Sequence, residues 1–106
     1  MQVDRQSRLE ARARILKALS HASRLMILEE LSVGEKCVAE LTKTVGSDMS
    51  TVSKHLSLLK SVGLIEDRRQ GTQVFYRLLT PCVLGFFECV ESVMNQRVQR
   101  QILLAQ

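Results

Sequence analysis

"GSDMSTVSKHLSLLKSVGLI", residues 46–65, decides the fold. A Gly-Ser-Asp turn opens a helix that directs Val52, Leu56, Leu59 and Val62 inward, and Gly63 ends it. Just upstream, "GEKCVAEL", residues 34–41, begins a short helix over 37–45, with Val38, Leu41 and Val45 at helical spacing and Gly46 as its C-cap. Two short helices joined by so tight a turn form a helix-turn-helix signal. Cys37 stands three residues before Glu40, where a capping box uses serine or threonine. A hydroxyl there stabilises a helix end by about 1 kcal/mol. Sulfur is a poorer cap, which points to a role for this thiol other than capping.

Outward from this pair, a second helix carries Leu25, Ile27, Leu28 and Leu31 and ends near Gly34. Before it, Leu9, Ala13, Leu16 and Leu19 predict a first amphipathic helix whose other face holds Arg5, Arg8, Arg12 and Arg14; Ser20 and His21 break it. Downstream, "LIEDRRQGTQVFYRLL" changes period, with strand-like runs over 64–69 and 73–79 around Gln70-Gly71-Thr72, a β-hairpin. Thr80 is expected to cap a last helix with Pro81 in its first turn. That helix carries Val83, Leu84, Phe86, Phe87, Val90, Val93 and Met94, more apolar surface than one small domain covers. The expected fold is mostly α with a small β-hairpin: four helices, two strands and a fifth helix, a winged helix-turn-helix. Residues 1–106 read as a single domain.

Composition agrees with a globular chain, at 45% apolar and 25% charged residues, and the net charge of +4 favours a polyanionic partner. No run approaches the roughly 20 apolar residues of a membrane span, and "MQVDRQSRLEARARIL" has no signal-peptide core. A cytoplasmic protein is expected. Three cysteines are an odd number, and in a reducing compartment they are buried filler or a reactive or metal-binding set.

On the fourth helix Ser50, Thr51, Ser53, Lys54, Ser57 and Lys60 lie off the apolar stripe. Hydroxyls and amines of this kind bond to phosphates and base edges in a major groove, and His55 is expected to add a contact. In the wing, Arg68, Arg69, Gln70, Thr72 and Gln73 surround a glycine tip, with Arg77 further along and only Glu66 and Asp67 as nearby acids. Double-stranded operator DNA is the expected partner. A winged helix that binds protein is the competing reading, and the cationic wing argues against it. No carboxylate, histidine and nucleophile stand at usable spacing, so an enzyme is not expected.

The runs "ALSHASRLMILEEL", "STVSKHLSLLKSVGLI" and "RRQGTQVFYRL", in this order, resemble the ArsR/SmtB family of bacterial metal-responsive repressors. The resemblance implies a homodimer, joined through the first and last helices, that binds operator DNA and releases it when an inducer binds. Zinc sensors of the family carry Asp-x-His and then a His-x-x-His or His-x-x-Glu pair on the last helix, whereas this chain has Thr80-Pro81-Cys82, then Val93 and Gln96. Arsenic, antimony, cadmium and lead sensors resemble "ELCVCDL" at the third helix; "EKCVAEL" keeps Cys37 and has Ala39 at the second position. Cys82 and Cys89, in "TPCVLGFFECVE", are candidates to complete the set, since three soft thiolates select As(III) or Sb(III) over hard cations. Helix starts at Cys37 and Cys82 also favour thiolate.

Sulfurs on one ion lie within about 4 Å of one another, while Cys82 and Cys89 on a regular helix are about 10 Å apart in rise. The first turn unwinds, Cys37 bridges to one of them, or the partner protomer supplies a ligand. For Cys89 the alternative is a small apolar residue packed beside Phe86 and Phe87. The alternative inducer chemistry is oxidation of the thiols to a disulfide or polysulfide bridge.

Overall fold

The computed structural model describes residues 4–105; Met1 to Val3, part of the stretch read for a signal core, and Gln106 lie outside them. Five helices and three short strands follow one another: α1 (Arg5–Leu19), α2 (Ala22–Val33), β1 (Lys36–Cys37), α3 (Val38–Val45), α4 (Met49–Ser61), β2 (Ile65–Gln70), β3 (Gln73–Leu78) and α5 (Val83–Ala105). The arrangement is the winged helix-turn-helix expected from the helix and turn signals.

Side chains fix the helix starts. Asp4 accepts from the Ser7 N–H at 2.7 Å at the head of α1, and His21 Nδ1 accepts from the Ser23 N–H at 3.1 Å at the head of α2. Cys37 is the N-cap of α3, and the Glu40 carboxylate reaches back to the Cys37 N–H at 3.1 Å, so the capping box survives the thiol. Gly46 stops α3 at φ +78°, a left-handed backbone that glycine adopts without cost from a Cβ, and its N–H bonds to the Thr42 carbonyl at 3.0 Å. Two residues later Asp48 caps α4. The turn between the two helices is thus closed at both ends by local chemistry.

The wing is larger than the hairpin read from sequence. β3 is the centre of a three-stranded antiparallel sheet in the order β1-β3-β2, with Lys36 opposite Tyr76 and Cys37 opposite Phe75. Two residues are too few to show a period of two, and this strand escaped the sequence reading. The hairpin loop is Gly71-Thr72 alone, since Gln70 pairs with Gln73. Gly71 has φ +63° and Thr72 has a negative φ, the signature of a II′ turn whose twist matches that of the strands.

One apolar core joins these elements. Ile27, Leu28 and Leu31 of α2, Leu41 of α3, Val52, Leu56 and Leu59 of α4, Leu64 and Ile65 at the start of β2, and Val83 of α5 form it, with Leu19 from the end of α1. Burial of each large side chain contributes about 1.5 to 3 kcal/mol.

The two outer helices depart from expectation. In α1 only Ala18 and Leu19 are buried, while Leu9, Ile15 and Leu16 stay exposed. A step of 3.6 residues per turn also brings Arg5, Arg8 and Arg12 to the side of Leu16 and Leu19, so the arginines do not form an opposite face. In α5 the helix proper begins at Val83, after Thr80 and Pro81. Its first N–H groups bond three residues back, Val83 to the Thr80 carbonyl at 3.1 Å and Leu84 to the Pro81 carbonyl at 3.0 Å. The Thr80 carbonyl does what its hydroxyl was expected to do, and Thr80 Oγ1 is buried with no hydrogen-bond partner. Among the described residues no helix is long and apolar enough to cross a membrane.

Candidate nucleic-acid interface and thiols

α4 presents the hydroxyl and amine groups predicted for it. Asp48 accepts from the Thr51 N–H at 3.2 Å and from Ser50 Oγ at 3.2 Å, fixing the end of the helix that carries Ser50 and Thr51. Hydrogen bonds from Thr51, side chain first and then backbone, with Ser50 adding to them, hold the Asp48 carboxyl below the usual carboxylate range. Ser53, Lys54 and Ser57 are exposed and make no side-chain hydrogen bond or ion pair among the described residues. The apolar stripe of Val52, Leu56 and Leu59 packs on the core and turns these three toward solvent.

Several predicted cations are held by acids. Lys60 pairs with Asp67 at 3.0 Å. Arg68 pairs with Glu35 at 2.7 Å, bonds to Gln70 Oε1 at 2.7 Å and lies 5.2 Å over the Phe75 ring, its cross-strand neighbour. Arg77 pairs with Glu66 across the same two strands. Arg69, on the other side of β2, forms no ion pair among the described residues and stands exposed with Gln70, Thr72 and Gln73 at the tip. Lys54 and Arg69 are therefore the cations of the set most available to phosphate.

His55 is placed differently from the expectation of a DNA contact. Its ring is half-buried, 4.6 Å from the His21 ring between centroids, with Nδ1 3.2 Å from Nη1 of Arg24. Burial, then the neighbouring His21 and Arg24 charges, hold its pKa below the ordinary 6.5. The helix turns His55 toward α2 because it sits beside Leu56 on the edge of the apolar stripe. Arg24 itself was missed. The one local signal is a lone cation in α2 at the helix end that repels cations, and it does not point to His55 as the partner.

The three thiols are not gathered. Cys37 is buried in β1, Cys82 is exposed in the turn ahead of α5, and Cys89 is exposed on α5. Cys82 thus lies before the helix and not within its first turn, and Cys89 is not packed filler in the protomer. Among the described residues no three histidine, cysteine, aspartate or glutamate side chains come together as a metal site. One protomer does not supply a three-sulfur set for a single ion.

The profile of the arsR family of bacterial regulatory proteins matches residues 21–67, which span α2 to the first part of β2. The solution structure of a homodimeric winged helix-turn-helix DNA-binding domain from Mycobacterium bovis, a possible ArsR-family regulator, aligns with a TM-score of 0.77 and 37% identity over 93% of each chain. The chain belongs to the ArsR family. Relatives of this ArsR-family chain include the transcriptional regulator Rv0324 of Mycobacterium tuberculosis, 38% identical over 85% of this chain and 40% of that protein. The biofilm growth-associated repressor of Agrobacterium fabrum is 37% identical over 74% of this chain and 68% of its own length. The chain therefore spans less than half of the first of these relatives. One is named a transcriptional regulator and the other a repressor, in keeping with the expectation of a regulator for this ArsR-family chain.

Proposed function

We propose that this chain is a transcriptional repressor that binds double-stranded operator DNA as a homodimer and releases it when its cysteine thiols are engaged. The observation that carries the reading is the outward face of Ser53, Lys54 and Ser57 on α4, set beside a wing whose Arg69 is unpaired among the described residues. α4 enters a major groove with its amino-terminal half, where Ser50 and Thr51 join that face, and the wing tip grips the backbone. Residues 1–106 act as one domain with dimerisation helices at both ends.

Dimerisation through α1 and α5 is supported by their apolar surface. Leu9 and Leu16 of α1 and Phe86, Val90, Val93, Met94, Val98 and Ile102 of α5 are all exposed. Between α1, α2 and α5 runs an apolar groove of about 430 Å³, lined by Leu16, Leu25, Phe87 and Met94 together with Glu29 and Glu91. Exposed apolar surface of this extent marks an association face, and homodimerisation of the Mycobacterium bovis domain supports a second copy as its cover.

For the inducer we keep As(III) or Sb(III), bound by Cys37, Cys82 and Cys89 with sulfurs drawn from both protomers, because one protomer does not bring three together. Oxidation or persulfide chemistry is the second reading, favoured by the exposure of Cys82 and Cys89. A gel shift on the promoter of the chain's own gene tests DNA binding. Anaerobic titration of the reduced complex, with arsenite and then with a persulfide donor, separates the two chemistries. Release by the persulfide donor alone removes the metalloid reading. Release of a variant lacking all three cysteines by either agent removes both.

A further inference from the structure

Arg24 is the one cation of α2, placed in its first turn, where the helix dipole disfavours positive charge. Its partners account for it. Nε donates to the Ala18 carbonyl at 2.5 Å, and Nη2 to the Lys17 carbonyl at 3.4 Å, which the Ser20 N–H and hydroxyl also reach; both carbonyls lie in the last turn of α1. Nη1 points the other way, to His55 Nδ1 of α4 at 3.2 Å. A guanidinium only donates, so Nδ1 is the acceptor and His55 is neutral with its proton on Nε2. The planar fork holds these three acceptors in fixed directions, which a flexible ammonium does not do.

Burial of Val52, Leu56 and Leu59 decides which face of α4 turns outward, and apolar contacts of this kind are non-directional. The hydrogen bond to His55 adds a directed link between α4 and the end of α1. We propose that Arg24 is a positioning residue for the recognition helix: it fastens α4 to the end of α1, so that the helix held in the dimer sets the angle at which α4 meets DNA. The proposal rests on the repressor reading above and adds to it a residue that touches no nucleic acid.

The test measures affinity for promoter DNA across a salt series for the wild type, Arg24→Met, Arg24→Lys, His55→Leu and His55→Asn, with folding checked by circular dichroism. Arg24→Met is expected to bind roughly tenfold more weakly with an unchanged salt slope, because no phosphate contact is lost. Arg24→Lys keeps the charge and does not restore affinity. His55→Asn, whose Oδ1 replaces Nδ1 as acceptor, retains wild-type binding, whereas His55→Leu loses as much as Arg24→Met. If Arg24→Met does not fold, the contrast between His55→Asn and His55→Leu decides. Equal binding by those two overturns the proposal, and so does a salt slope lowered by about one unit in Arg24→Met, which makes Arg24 a phosphate contact. A wild type that binds no promoter DNA overturns the repressor reading and this proposal together; normal wild-type binding with an indifferent Arg24→Met overturns the proposal alone.

Discussion

Cys37, Cys82 and Cys89 carry the same side chain into three surroundings: a buried strand, an exposed turn and an exposed helix face. Alkylation of the native protein should therefore modify Cys82 and Cys89 quickly and Cys37 only after denaturation, as read by mass spectrometry of the labelled peptides. Fast labelling of Cys37 contradicts its burial. The same contrast separates Arg69 from Arg68. Arg69→Ala should weaken binding to every DNA sequence alike and lower the salt slope by about one unit, while Arg68→Ala, already engaged with Glu35, should change the slope less. At this scale the sequence was informative wherever a residue acts on its near neighbours. The capping box of Cys37 and Glu40 was legible from spacing. The bond from Arg68 to Glu35 and that from Arg24 to His55 join residues far apart in the chain, and no local pattern announces them.

Helices with one buried stripe were read correctly, since α2 and α4 pack on the core through the periodic residues named for them. Leu56 has no exposed surface, and Leu56→Ala should cost about 2 to 5 kcal/mol in chemical denaturation. α1 was read less well. Periodicity finds apolar residues at helical spacing but does not say what they pack against, and here most of the stripe stays exposed among the described residues. α5 has the same property with a sharper test. Val90→Asp leaves the core untouched and should convert the proposed dimer to a monomer by size-exclusion chromatography with light scattering; a variant that stays dimeric removes α5 from the proposed interface. β1 was invisible because a strand of two residues exists only by virtue of the strand it pairs with.

The molecule as a whole should lose stability on acidification, beginning near the ordinary histidine pKa of 6.5. His55 is held neutral when folded and has a lowered pKa, so as pH falls below that value the unfolded chain takes up the proton first. That loss continues down to the folded pKa, and the lowered pKa of the Asp48 cap adds a loss of its own as pH falls through the ordinary carboxylate value of 3.8. Thermal melts between pH 7 and 5 should slope for the wild type and flatten for His55→Asn; equal slopes contradict the placement of His55. Helix and turn chemistry, alternation of apolar residues and the glycine stops are short-range, and they sufficed for the order of the helices and the hairpin, the fold class and the outward face of α4. The separation of the three thiols, the ion pairs that bind Lys60 and Arg68, and the bridge from α1 through Arg24 to α4 belong to the folded chain alone. Each depends on the distance between segments brought together by burial of a shared core, and spacing along a chain carries no measure of that distance.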